Sequence, residues 1–226
     1  MAEDAFHELR VGFTAAVSHE LRTPLARLVA LLESAELPGA DTQALLAQAR
    51  EEVASMSDLV DDVLFLSELE TGRAVVALGP TAVSPIVDEV VDRYRATAER
   101  AGITFKTLVA ADVAIPVRPR MIRVVLENLV ANAVRYAGDG ARITVSARTE
   151  GDVVLISVAD NGSGVPEDEL PRLFERFFRG DRARTTHGTG LGLAIVKHVV
   201  TQAGGSVEAT RGPGGLGLEV RCTFPR

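Results

Sequence analysis

The sequence predicts an α+β chain in two unequal parts: a long antiparallel helical hairpin, then an α+β sandwich. Residues 5–69 hold only two glycines, Gly12 and Gly39, while apolar residues recur at helical spacing. From residue 71 onward, glycine and proline break the chain into short runs, several of them rich in β-formers. Helical patterns and hairpin-linked strands alternate in that second part, which favours a sandwich over a doubly wound parallel sheet.

The first helix is read from Phe6, Leu9, Phe13, Val17, Leu21, Leu25, Leu28 and Leu32, and the second from Leu46, Ala49, Val53, Met56, Val60 and Val63. Between them Leu37-Pro38-Gly39-Ala40-Asp41 supplies a breaker pair and then a capping side chain, so the helices turn back on each other. Each is about 30 residues, or about 45 Å at 1.5 Å per residue. Two such helices cannot bury their apolar stripes against each other alone. The expectation is therefore a homodimer that completes a four-helix bundle.

Thr71-Gly72-Arg73 ends the second helix, which divides the chain into a hairpin over 1–70, a linker over 71–80 and a second domain over 81–226. Within that domain helices are expected near 83–100, 120–137 and 191–203. Strands are expected near 103–108, 113–117, 142–149, 152–159, 205–210 and 217–224, with Glu150-Gly151-Asp152 as a hairpin turn.

With 46% apolar and 24% charged residues in 226, disorder and collagen-like structure are excluded. No apolar run approaches the roughly 18 residues of a membrane span, and the acidic Met1-Ala2-Glu3-Asp4 start is unlike an export signal. A cytoplasmic location is expected. Residues 1–70 carry four arginines, no lysine and 14 acids, net −10, whereas residues 71–226 carry 20 bases against 17 acids, net +3. The acidic part would repel a phosphate backbone, so no nucleic acid is expected as a partner. Cys222, the one cysteine, lies in a strand-like run without a neighbouring base and reads as a buried apolar residue.

Candidate chemistry begins at Ser18-His19-Glu20-Leu21-Arg22-Thr23-Pro24. At 100° per residue, His19 lies about 200° from Val17 and from Leu21 and so points to solvent. An exposed imidazole offers a nitrogen lone pair as a nucleophile toward phosphorus. Glu20 adjoins it as an orienting base, Thr23 follows one turn later on the same face, and Pro24 should kink or loosen the helix.

In the second part, Asn128 and Asn132 sit four apart on one helix face, with Arg135 and Tyr136 a turn on. Mid-helix asparagines are poor helix formers, and Asn132 could offer a neutral oxygen to Mg²⁺. Asp160-Asn161-Gly162-Ser163-Gly164 follows a strand. Its carboxylate can accept from an amino group while its glycines allow close backbone approach. Leu173 to Gly180, with Phe174, Phe177, Phe178 and Arg179, reads as an apolar anchor before a polar lid carrying Arg182 and Arg184. Gly188-Thr189-Gly190-Leu191-Gly192 then opens a helix whose free amides suit phosphate.

Together these segments resemble the cytoplasmic catalytic core of sensor histidine kinases of two-component signalling. Ser18–Pro24 matches that family's H box, Asn128–Asn132 with Tyr136 its N box, Asp160–Gly164 its G1 box, Leu173–Phe178 its F box and Gly188–Gly192 its G2 box. The resemblance implies a dimeric phosphoacceptor hairpin and an α/β-sandwich ATP-binding domain, of the kind also found in topoisomerase and chaperone ATPases. By that mapping His19 takes the γ-phosphoryl group, Glu20 assists and Thr23 orients water when a partner is dephosphorylated. Asn132 holds Mg²⁺; Asn128, Arg135 and Tyr136 contact the nucleotide; Asp160 selects adenine. Gly162, Gly164, Gly188, Gly190 and Gly192 shape the site around Thr189 and Leu191, with Arg179 a candidate for the phosphates. The implied cofactors are ATP and Mg²⁺, and the implied partners are a second copy and a response regulator receiver domain, docked near Ala26 to Ala30. A membrane would be reached only through a sensor region outside this chain.

Arg118-Pro119 and His187 stand where the family pattern often has an acidic residue and a glycine. Two other readings fit the residues: an ATP-gated scaffold that leaves His19, Glu20 and Thr23 unexplained, and an enzyme acting mainly as a phosphatase.

Overall fold

The computed structural model describes residues 2–70, 75–180 and 188–226. Thr71-Gly72-Arg73, Arg182, Arg184 and His187 lie outside the described residues. Two compact units result, one formed by Met1–Ser67 with Thr186–Thr189, the other by Glu68–Thr185 and Gly190–Arg226.

The first unit is a hairpin of α1 (Ala2–Ala35) and α2 (Thr42–Glu70). Asp41 caps α2 as its side chain predicts: its Oδ1 accepts the Ala44 N–H at 3.1 Å, satisfying one of the free amides of the first turn. Gly39 takes φ +82° in the turn, a conformation open to glycine at no steric cost. Helix α1 runs unbroken through Pro24. On α2, Ala49, Leu59, Leu66 and Leu69 are buried, and Glu52 is buried among them.

In the second unit a five-stranded sheet has the order β2-β4-β5-β7-β6, with a separate two-stranded ribbon of β1 and β3. The sheet strands are β2 (Thr104–Val109), β4 (Arg142–Glu150), β5 (Val153–Asp160), β6 (Ser206–Arg211) and β7 (Leu218–Pro225). Only the β2 to β4 pairing is parallel. The turn expected at Glu150-Gly151-Asp152 joins β4 to β5, with Gly151 at φ +60°.

Strand alternation decides which face is covered. Ile143, Val145 and Ala147 of β4 and Val220, Cys222 and Phe224 of β7 point inward and are buried. Helices α3 (Ser84–Arg100), α4 (Pro119–Tyr136) and α5 (Gly192–Gln202) supply the other layer of this core. The opposite sheet face is polar. Ser146 and Ser157 share a 2.9 Å hydroxyl contact there, and Arg221 donates to Glu219 at 2.8 Å.

One strand departs from expectation. Val76–Ala82 form β1, antiparallel to β3 (Ala114–Val117), where the sequence suggested a linker as far as Pro80. Gly79-Pro80 disguised it. Proline cannot donate to a ladder, and the register shifts between Val76 and Thr81. Arg118, the unusual residue before α4, ties this ribbon down: its N–H donates to the Val75 carbonyl at 3.0 Å and its Nε to the Val76 carbonyl at 3.4 Å.

Candidate functional site

His19 lies midway along α1, its side chain 77% exposed, with Nδ1 3.9 Å from Glu20 Oε1. The helical period explains the exposure. Leu21, Pro24 and Leu28 are half-buried on the side facing α2, while Arg22 and Thr23 are exposed with the histidine.

The second group of residues assembles around α4 in the other unit. Asn128 is half-buried and turns its Nδ2 back onto the Val124 carbonyl at 2.9 Å, which leaves Oδ1 facing outward toward α5. There the N-terminal residue of α5, Gly192, comes so close that an added Cβ would stand 2.5 Å from that Oδ1. Nine residues on from Asn128, Ala137, which caps the C-terminal end of α4, meets the Asp160–Gly164 turn. A Cβ on Gly162 would fall 2.1 Å from the Ala137 carbonyl oxygen. The α4 face bearing Asn128, Asn132 and Tyr136 is thus bracketed by a helix N-terminus at one end and the Asp160 turn at the other, about 13 Å apart at helical rise. Asn132 and Tyr136 are half-buried on this stretch and Arg135 is exposed.

Asp160 ends β5 and is buried. Its Oδ1 accepts the Gly162 N–H at 2.8 Å and the Leu218 N–H at 3.4 Å, so the carboxylate has one orientation. Burial raises its pKa, opposed by those two amides. The backbone around it is packed to a tolerance that admits no side chain. A Cβ on Gly217 would lie 2.0 Å from the Asp160 carbonyl oxygen, and one on Gly164 would lie 2.7 Å from the Gly217 carbonyl oxygen.

Near the start of α5, Phe177 donates its N–H to the Gly190 carbonyl at 3.0 Å. Leu191 is fully buried, and its carbonyl accepts the Ile195 N–H in the first turn of α5. The segment before Phe177 is held by Arg172, whose guanidinium stacks 4.3 Å from the Phe178 ring centre. Phe174, Phe177, Phe178 and Arg179 are all half-buried.

Asn128, Asn132, Tyr136, Asp160, Gly162, Gly164 and Gly192 are therefore gathered along one helix, and Gly190 is joined to Phe177. His19, Glu20 and Thr23 belong to the hairpin unit, with which Gly188 and Thr189 also group. Sequence reasoning missed Gly212, Gly217 and the Leu218 amide, which wall in Asp160. The signal was the glycine-rich run 212–217, readable by itself only as a turn.

Comparison with known proteins places these observations. A family model described as the His Kinase A (phospho-acceptor) domain matches residues 9–72. A second, described as the histidine kinase-, DNA gyrase B-, and HSP90-like ATPase, matches residues 117–226. The chain is 36% identical over 211 residues to the sensor-like histidine kinase SenX3 of Mycobacterium tuberculosis (strain ATCC 25618 / H37Rv), covering 91% of this chain and 51% of that protein. It is 34% identical over 218 residues to the sensor histidine kinase CusS of Escherichia coli (strain K12), covering 92% and 44%. It thus spans about half the length of these curated relatives.

Among solved structures, full-length ShkA in complex with AMPPNP superposes with a TM-score of 0.67 at 29% identity, over 93% of this chain and 45% of that one. Histidine kinase ThkA in complex with the response regulator protein TrrA gives a TM-score of 0.76 over 97% and 63%, its 21% identity marking a shared fold. With a phosphoacceptor hairpin followed by the ATPase sandwich, the chain belongs to the sensor histidine kinases of two-component signalling, a family of protein-histidine kinases.

Proposed function

We propose that this chain transfers the γ-phosphoryl group of ATP to His19 and then passes it to an aspartate of a response regulator. The observation that carries the reading is the bracketed face of α4: a fixed, buried carboxylate at one end suits a base amino group, and the α5 N-terminus at the other suits phosphates. On this reading Asp160 accepts from adenine. Asn128, Arg135 and Tyr136 contact the nucleotide, and Arg179, Gly188, Thr189, Gly190, Leu191 and Gly192 belong to the phosphate side.

Asn132 fits a Mg²⁺ ligand. It is half-buried on the bracketed face. The described residues include no cluster of three His, Cys, Asp or Glu able to hold a metal alone. That donor set suits an ion whose other ligands are phosphate oxygens and water. Bound with the nucleotide, Mg²⁺ would neutralise charge on the transferring group.

His19 supplies the nucleophile. Glu20 flanks Nδ1 and can hold a proton there, leaving Nε2 to attack phosphorus while the bond to the ADP oxygen breaks. In the second step an aspartate oxygen of the regulator attacks the same phosphorus and the N–P bond breaks. Thr23, one turn from His19 on the exposed face, is placed to orient water in regulator dephosphorylation. The ThkA complex with TrrA, a protein of the same fold, supports a receiver domain as partner.

What the hairpin leaves uncovered supports a homodimer. Leu46, Val53 and Val60, seven residues apart on α2, and Leu25, Val29 and Leu32 on α1 are 43–50% exposed in the single chain. Among the described residues no helix is long and apolar enough to cross a membrane. We assign the core to the cytosolic side, where ATP is available.

The test is incubation with γ-labelled ATP and Mg²⁺. Acid-labile, alkali-stable label that disappears in His19→Ala, with ATP binding retained, is the expected result. Persistent label in that variant would refute His19 as acceptor.

A further inference from the structure

Glu52 is the only buried charged residue described in the hairpin, its side chain 9% exposed. It sits on the face of α2 that carries Ala49 and Leu59. Across the seam, Arg27 of α1 brings Nη1 to 3.8 Å from Glu52 Oε1 while keeping its own side chain 64% exposed. The arginine thus reaches round the flank of α1 from water to a carboxylate inside the seam, its aliphatic stem allowing this.

The flank matters because of where His19 points. Leu21 and Leu28, on the α2-facing side of α1, lie about 200° and about 180° around the helix from His19, and Arg27 lies about 80° from it. Apolar contact between Leu21, Leu28 and α2 is non-directional and tolerates rotation of α1 about its own axis. An ion pair to a buried carboxylate does not, because it holds only while the guanidinium stays within reach of Glu52 Oε1. We propose that Arg27 and Glu52 form a rotational tether that fixes the direction in which α1 presents His19. Both are positioning residues for phosphoryl acceptance, and the inference rests on the reading of His19 as acceptor.

Two measurements on the full chain test it. In the first, autophosphorylation is followed for Glu52→Gln, Arg27→Gln and the charge swap Arg27→Glu/Glu52→Arg. Each single variant is expected to lower kcat about tenfold or more, since small misplacements of reacting groups cost that much. KM for ATP stays as in the parent, and the swap recovers most of the lost rate. Unchanged kcat in both single variants overturns the tether. So does a loss that the swap fails to recover.

The second measurement does not depend on activity. Spin labels at Arg22→Cys and Ala54→Cys, diluted with unlabelled chain, report the setting of α1 on α2, since Cys222 is buried and remains unlabelled. A narrow distance distribution that broadens with Glu52→Gln supports the tether; an unchanged distribution overturns it. If the parent chain takes no label from ATP, the acceptor reading fails, and the distance distribution still decides whether the tether exists.

Discussion

Phe177 is the one non-glycine residue with a positive φ, +62°, among the described residues, and it is hydrogen-bonded through its N–H to the carbonyl of Gly190, itself at φ +67°. A Cβ on Gly190 would lie 2.9 Å from the Phe177 Cα. Two segments thirteen residues apart in sequence are thereby stapled backbone to backbone, at the cost of about 1–3 kcal/mol of conformational strain at Phe177.

Gly190→Ala should break the staple, since the new methyl meets backbone that cannot swing aside. The expected result is a loss of about 1–3 kcal/mol in stability, read by denaturant melts, together with weaker ATP binding by calorimetry. Unchanged melting and binding would show that the closeness of the two strands of chain is unimportant.

Asp160→Asn separates stability from recognition. The amide Oδ1 can still accept from Gly162 and Leu218, but on the proposed assignment of adenine to this carboxylate its other atom becomes a donor facing a donor. Loss of one hydrogen bond to a charged acceptor predicts about tenfold to hundredfold weaker ATP binding. Stability should move the opposite way. Burial holds the Asp160 pKa above its ordinary 3.8, so the folded state takes up the proton more readily than the unfolded one. Its ionisation therefore costs stability at neutral pH, and that cost fades as pH falls through the raised pKa toward 3.8. Asp160→Asn should melt higher than the parent at pH 7, with the gap narrowing on acidification. A gap that widens in acid would contradict the sign.

Val60→Glu places a charge on the exposed apolar stripe of α2 without touching the buried positions Leu59 and Leu66. Light scattering should show the parent as a dimer and the variant shifted to monomer at micromolar concentration, with helical content retained. A parent that elutes as a monomer would remove the four-helix bundle.

The Cys222 thiol is fully buried in β7, and burial pushes its pKa up to about 12. A disulfide reagent at pH 8 should leave the native chain unmodified and react with one thiol per chain in denaturant. Fast native-state reaction would mean that β7 opens readily.

Much of this architecture is legible in the amino-acid order because its signals are local. The hairpin follows from apolar periodicity and the Asp41 cap, and the β4–β5 turn follows from Gly151 between two runs of β-formers. The segments around Asn128, Asp160 and Gly188 stand out because asparagines and glycines occupy places where ordinary helix or strand residues would serve. What escaped reading is non-local. Strand β1 is hidden by Gly79-Pro80 and exists because β3 offers it a partner. The amide that helps fix Asp160 comes from Leu218, 58 positions away. The left-handed backbone of Phe177 has no sequence signal, since a large aromatic is among the residues least suited to it.

The strand order carries a consequence for how the chain is made. Strand β6 is bonded to the sheet only through β7, which lies between it and β5 and is later in sequence. As the polypeptide emerges from the ribosome, β2, β4 and β5 can pair as soon as they appear, whereas β6 has no strand to bond to until β7 follows and slots in beside β5. The hairpin has no such delay, its two helices being neighbours in sequence. A nascent chain halted between Arg211 and Leu218 would thus carry a paired helical hairpin and a sheet still open along β5, a form that chaperones or proteases would meet before any nucleotide does.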